Sequence, residues 1–214
     1  MTRMRSSQSG FTLVELLVVI TIISLLAALG FTKIQGVLRE NDKTVCKERL
    51  RAIWTEMNLY QEKRANNKRL SLESGPMFVL SVWGEPYIDR DPKNFDNFLC
   101  PSLGMPPLEE ENDDYRDMEL LAESTHFAGR NQASKEYRVS RTSGRNASKT
   151  VIICNKPLVE GQPPHAGECL CVLYLDGQTG IVERAAFGES FDDVEEMTIG
   201  EDSPVEALRG VIDN

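Results

Sequence analysis

The sequence predicts an α+β fold in which one long N-terminal helix packs on a small antiparallel sheet. Three observations predict it. An apolar run from Leu16 to Leu29 passes, without a proline, into a charged segment whose apolar residues recur mostly at three- and four-residue steps. Short β-branched and apolar runs bounded by turn residues gather towards the end of the chain, at Val151–Cys154, Cys169–Leu175 and Gly180–Glu183. The helical stripe and these strands each need an apolar partner, and each supplies the other's.

The first element is a membrane span. From Phe11 to Leu29 the only charge is Glu15, with Thr12, Thr21 and Ser24 as the hydroxyl residues. About twenty residues rising about 1.5 Å each cover a hydrocarbon core of about 30 Å. Arg3 and Arg5 precede the span and no acid lies in the first ten residues, which places the N-terminus in the cytoplasm and the bulk of the chain across the membrane. A secretory signal would carry its small-residue cleavage site after the apolar run. Here Gly10 stands before it, so a cut on the basic side leaves the whole helix on the mature protein. An uncut anchor would explain the length and the arginines but not Glu15, a carboxylate that is costly inside an apolar helix unless paired. A chain starting at Phe11 has its α-amine about one helical turn from Glu15, close enough to pair with that carboxylate or with a neighbour's.

The helix then continues. Ile34, Val37, Leu38, Val45, Ile53, Trp54, Met57 and Tyr60 form a stripe between Arg39, Glu40, Lys43, Lys47, Glu48 and Arg51, predicting one helix from Thr12 to about Arg64. Trp54 and Tyr60 read as core packing rather than as cofactor-binding aromatics. The chain divides into a basic leader over 1–10, a transmembrane helix over 11–30, its amphipathic continuation over 31–64 and a globular α+β domain over 65–214.

Within that domain, Gly75-Pro76 opens an apolar segment, Met77–Trp83, read as a strand. Asp89–Cys100 reads as a loop carrying Phe95 and Phe98. Pro106-Pro107 followed by Glu109, Glu110 and Glu111 reads as a helix start, with an end near His126–Gly129. Arg130–Lys149 reads as a solvated loop around a short piece at Tyr137–Val139. The strands Val151–Cys154, Cys169–Leu175 and Gly180–Glu183 follow, the last two joined through a turn at Asp176-Gly177. After an acidic stretch from Glu189, Pro204–Ile212 reads as a short closing helix.

Gly10-Phe11-Thr12-Leu13-Val14-Glu15-Leu16 resembles the cleavage and methylation motif of type IV prepilins and type II secretion pseudopilins. The resemblance implies a pilin-like fold, a cut between Gly10 and Phe11 by a membrane aspartyl prepilin peptidase, N-methylation of Phe11, and Glu15 as the assembly glutamate. It also implies partners: other pilin-like subunits, an inner-membrane assembly platform and its ATPase system, and the lipid bilayer. Many pilins carry a helix-loosening proline about twenty residues into the mature chain; here Gly30 and Gly36 are the weak points instead. A second, partial resemblance joins His165-Ala166-Gly167 to Asp176-Gly177. It is similar to the histidine-to-Asp-Gly signature of pseudopilin-like proteins abundant in planctomycetes, with Ala166 in place of a proline, ten intervening residues rather than nine, and Gln178 in place of a second histidine. Leu99-Cys100-Pro101-Ser102 is similar to a Cys-Pro-Ser element of the same group.

Charge narrows the partners. The net charge is −9, and loss of Arg3 and Arg5 with the leader takes it to −11, which argues against nucleic acid. Five cysteines, Cys46, Cys100, Cys154, Cys169 and Cys171, sit in a chain predicted to be exported, where disulfides are permitted, but the odd count leaves at least one unpaired. His165 with Cys154, Cys169, Cys171 and Asp176 is the metal constellation the sequence offers. Its Cys-x-Cys step is tighter than the usual zinc spacing, so packing, a disulfide to Cys100 or Cys154, or free thiols rank ahead, and no metal ligand is assigned. No orienting group marks a Cys–His nucleophile. Glu109–Glu119 and Glu189–Asp202 lack the alternating order of a calcium loop and read as solvated faces, leaving calcium a minor alternative and no cofactor assigned. The expected function is therefore a structural subunit of a type II secretion pseudopilus or type IV pilus-like filament, not an enzyme. The inner membrane holds it by a single pass, with the globular domain periplasmic or extracellular. The alternatives are a processed, membrane-anchored binding protein that does not polymerise and, from a third class, a metal-dependent enzyme on a pilin stalk.

Overall fold

The computed structural model describes residues 12–63, 70–71, 73–83, 88–103, 121–139, 149–154, 163–188 and 197–213. The chain divides into two units, Met1–Glu40 and Asn41–Asn214. One helix, α1 (Leu13–Lys63), contributes to both.

From Leu16 to Leu26 α1 carries large apolar residues around its whole circumference. Eleven large residues between Leu13 and Leu26 are 45–79 % exposed, far more apolar surface than a water-facing helix carries. The two hydroxyls within this run turn inward on the helix: Thr21 Oγ1 donates to Val18 O at 2.8 Å and Ser24 Oγ to Ile20 O at 2.7 Å. The polar groups are thus satisfied inside the segment, as a hydrocarbon environment requires. This is a helix long and apolar enough to cross a membrane.

The second unit has the predicted α+β architecture, the rest of α1 with a small antiparallel sheet. Five antiparallel strands, β1 (Phe127–Arg130), β2 (Thr150–Cys154), β3 (Cys169–Tyr174), β4 (Thr179–Glu183) and β5 (Val211–Ile212), lie in the order β4-β3-β2-β1-β5. The hairpin between β3 and β4 pairs Cys169 with Glu183 through Leu173 with Thr179. Strand periodicity sends Cys171 and Leu173 to one face and Leu170 and Val172 to the other. A register shift between Thr150 and Ile152 lets the consecutive residues Val151 and Ile152 both join the first face. That face packs on Cys46, Leu50, Ile53, Met57 and Tyr60, successive turns of α1, with Trp54 against their edge. The opposite face buries Leu170, Val172 and Ile153 under Met197, Leu208 and Val211 from the C-terminal segment. With both faces covered, the central strands β2 and β3 are buried along their length rather than alternating.

Several expectations change. Met77–Trp83 is not a strand: α2 (Pro76–Leu80) is a helical turn running into a bend at 81–83. Proline at its first position and Gly75 at φ 61° start it, and Phe78, Val79, Leu80, Val82 and Trp83 are buried around it. Asp89–Cys100 is not open loop. Asp91 caps α3 (Pro92–Phe95) by accepting from Asn94 N at 2.8 Å, and a 3₁₀ turn over Asp96–Phe98 follows. These turns stack Phe95 and Phe98 edge-on against Trp83, with ring centroids 5.4 and 5.6 Å away. The expected helix after Pro106-Pro107 falls outside the described residues up to residue 120, and its expected end is instead a 3₁₀ turn (Ala122–Ser124) followed by β1. The closing helix reduces to a 3₁₀ turn, Glu206–Leu208, and the chain ends on β5. The packed stripe of α1 begins at Cys46, whereas Ile34, Val37 and Leu38 are exposed.

Candidate functional site

Four elements of the second unit converge on a buried cluster of thiols and one imidazole. Cys46 comes from α1, Cys100 from the turn after Phe98, Cys154 from the end of β2 and His165 from the 3₁₀ turn Pro164–Gly167 ahead of β3. One donor atom from each lies within 4.8 Å of all the others. The three cysteines are at most 1 % exposed and His165 is 4 % exposed. Cys171, on the helix-facing side of β3, sits beside them with its sulfur 3.4 Å from His165 Nε2.

Each position is held from outside the cluster. Cys100 N donates to His126 Nδ1 at 3.0 Å, and Arg49 Nη1 donates to Leu99 O at 2.9 Å, which ties the Cys100 turn to β1 and to α1. Thr125 Oγ1 and His126 N both donate to Phe98 O. Ser102 Oγ accepts from His165 N at 2.8 Å and shares a hydrogen bond with Cys100 Sγ at 3.0 Å, in which either atom can donate. His165 and Ala166 both hold positive φ, 50° and 55°, and Gly167 follows at 74°. Left-handed conformations cost non-glycine residues about 1–3 kcal/mol each, and this turn is what aims the imidazole inward. A proline at Ala166, as in the resembled signature, could not adopt that φ because its ring fixes φ near about −65°. Lys43 Nζ closes the outside of the turn on Glu168 Oε2 at 3.1 Å.

The thiols and the imidazole of the cluster shift one another's protonation. Burial works against a thiolate at Cys100, yet hydrogen bonds from Cys154, Cys46 and His165 hold it well below the ordinary thiol range. Its donors move the other way. Cys46 is pushed up chiefly by its bond to Cys100, and Cys154 by burial and then by the same acceptor. At His165 burial opposes the imidazolium, but the bond to Cys100 and the charges of Cys100, Cys169 and Asp42 together outweigh it and the net shift is upward. Cys169 is raised by its bond to Cys171 and by burial. The imidazole points Nε2 at the sulfurs, 3.6 Å from Cys100 Sγ, while Nδ1 is buried without a partner among the described residues.

The sequence constellation is therefore only partly assembled. His165, Cys154 and Cys171 come together. Asp176 does not join them: it is exposed and accepts from Gln178 N at 2.9 Å to shape the β3–β4 turn. Cys46 and Cys100 complete the group, and neither had been grouped with His165 as a ligand. Cys46 would have been visible as the first residue of the 46-50-53-57-60 stripe, had its thiol been counted as an apolar side chain. Of the acidic stretches weighed for calcium, residues 109–119 lie outside the described residues. From the second only 197–202 is described, with Glu201 and Asp202 exposed in a turn.

At the start of α1, Glu15 Oε2 accepts from both Thr12 N and Thr12 Oγ1 at 2.9 Å, and Glu15 N donates to Thr12 Oγ1 at 3.2 Å. This reciprocal pairing is a capping box: the hydroxyl satisfies an early helix N–H and the carboxylate reaches back to the cap. Gly10 and Phe11 lie outside the described residues. Residues 5–31 match the prokaryotic N-terminal methylation motif. No curated protein and no solved structure matches the chain. The methylation motif covers Arg5, the glycine–phenylalanine junction and the apolar half of α1, and it ends before the first residue of the thiol cluster. A prepilin-like, processed membrane protein is the description these findings support.

Proposed function

We propose that the chain is a structural subunit of a type II secretion pseudopilus or type IV pilus-like filament, cut between Gly10 and Phe11 and N-methylated on Phe11 by prepilin peptidase. The observation that carries the proposal is the position of Glu15. It is the one carboxylate in the apolar run of α1, it lies inside the methylation motif, and it stands one turn from the expected new terminus. In the uncut chain its carboxylate is engaged by Thr12. After cleavage an α-amine at Phe11 offers a stronger, charged donor, and an incoming neighbour's amine offers the same chemistry between chains. Apolar helices bundled around a filament axis would cover the surface that α1 leaves exposed, with Glu15 fixing axial register. The globular unit would face outward on the periplasmic or extracellular side, and the motor and peptidase would be separate proteins. No catalytic role is proposed.

The test has two steps. The N-terminal peptide mass of protein from its own cell envelope should begin at N-methyl-Phe11; a chain still starting at Met1 overturns the reading. A Glu15→Ala variant should be processed normally yet fail to enter sheared filaments or to cross-link with its neighbours. Unimpaired assembly of that variant, or a processed wild-type chain that stays monomeric, would favour an anchored binding protein instead.

A further inference from the structure

We infer that Cys46, Cys100, Cys154 and His165 form a closed tetrahedral zinc site that fastens α1 to the sheet. The inference rests on the second unit alone and stands independently of how the N-terminus is processed.

The donor set comes first. Three sulfurs and one imidazole nitrogen are the composition of structural zinc sites. With Zn–S about 2.3 Å and Zn–N about 2.0 Å, a tetrahedron places sulfurs about 3.8 Å apart and nitrogen about 3.5 Å from each sulfur. Cys100 Sγ and His165 Nε2 are already 3.6 Å apart, and all four donor atoms fall within 4.8 Å. Small side-chain rotations therefore suffice.

The second observation is the state of the buried imidazole. His165 is enclosed, its Nε2 is turned into the sulfurs, and its Nδ1 has no partner among the described residues. Its Nε2 lies 3.6 Å from Cys100 Sγ and 3.4 Å from Cys171 Sγ, so the ring faces soft donors from two separate elements. It is also held by a turn with two non-glycine residues at positive φ, a backbone arrangement that recurs at ligand clamps.

Charge and support agree. Three thiolates, neutral His165 and Zn²⁺ sum to one negative charge, with Lys43 and Arg49 on the adjoining face of α1. On binding, Zn²⁺ takes four bonds, the protons shared among the three thiols and the imidazole leave, and no redox step is involved. Soft thiolates with one imidazole and no open position favour zinc over magnesium or calcium. Ser102 and His126 are positioning residues, aiming the Cys100 sulfur and holding its backbone.

The test uses the full-length chain purified in detergent under reducing conditions, with metal content measured by plasma mass spectrometry. One zinc per chain is expected. After chelation, Co²⁺ added to the same protein should give the intense visible bands of a tetrahedral thiolate site, and chelation should lower the thermal midpoint. Cys46→Ser, Cys100→Ser, Cys154→Ser and His165→Asn should each lose the metal, whereas Cys169→Ser should retain it. Ser102→Ala, which removes no ligand, should weaken affinity about 10- to 100-fold. Should the ligand variants fail to fold, the wild-type cobalt spectrum and the Ser102→Ala affinity decide alone. Wild-type protein with no zinc and no tetrahedral cobalt spectrum overturns the inference. So does an intact mass, taken without reductant, showing a disulfide among Cys46, Cys100 and Cys154. Loss of metal from Cys171→Ser with retention in Cys46→Ser overturns the ligand assignment.

Discussion

The indole of Trp54 occupies the space that a side chain on Gly177 would need: a Cβ there would lie 2.3 Å from Nε1. Gly177 also holds φ +85°. One glycine thus meets two demands, the turn between β3 and β4 and the close approach of α1. Gly177→Ala is expected to lower stability by about 1–3 kcal/mol, read as a reduced midpoint in denaturant. Gly177→Asn, which tolerates positive φ but not the missing space, should be destabilised as well; stability equal to wild type in that variant would remove Trp54 from the account.

A second close approach lies between β1 and the start of α2. A Cβ on Gly129 would meet Gly75 O at 2.2 Å, and Gly75 N donates to Arg130 O at 3.2 Å. Because the obstacle is backbone, no side-chain rotation relieves it. Gly129→Ala should destabilise by about 1–3 kcal/mol or more and raise amide exchange across Pro76–Leu80. Unchanged exchange there would contradict the contact.

Gln132 is a polar residue that the core depends on. It is 1 % exposed; Nε2 donates to Ser71 O at 2.8 Å and Val139 O at 2.7 Å, and Oε1 accepts from Val139 N at 2.8 Å. Gln132→Leu keeps the bulk and strands those backbone groups, at about 1–3 kcal/mol for each group left buried and unpaired. Thermal unfolding should show a larger loss for this variant than for an exposed glutamine such as Gln178→Leu.

Leu50 faces the sheet from the middle of the packed stripe and is wholly buried. Leu50→Ala should cost about 2–5 kcal/mol through lost burial and the cavity left behind. Leu38→Ala, at an exposed position of the same helix, should leave the denaturant midpoint of the globular unit unchanged, which separates core packing from helix propensity.

Arg49 should act through the Cys100 turn. Its guanidinium bond to Leu99 O is the charged type, worth about 1.5–3 kcal/mol when both partners are dry and less at this half-buried position. Arg49→Leu is therefore expected to lower stability by about 1 kcal/mol, and amide exchange at Cys100 should rise more than exchange in β3.

By itself the sequence determined whatever is local. The methylation motif, the apolar half of α1 and the carboxylate at Glu15 are contiguous, and the helical period carries α1 on to Lys63. The β3–β4 hairpin was legible because two apolar runs flank an Asp-Gly turn. Only the tertiary structure decided the rest. Phe127–Arg130 is a strand because its neighbours β2 and β5 accept it on both edges, not because Phe-Ala-Gly-Arg favours extended backbone. Met77–Trp83 is apolar because it is buried, and burial alone does not distinguish a strand from a helical turn; Gly75-Pro76 and the contact with Gly129 make it helical. The thiol cluster is the extreme case. Cys46, Cys100, Cys154 and His165 carry no short spacing that marks a site, because each comes from a different element. Their meeting follows from α1 crossing the face of the sheet where β2 ends and the Pro164–Gly167 turn begins, a relationship between distant segments that local pattern does not encode.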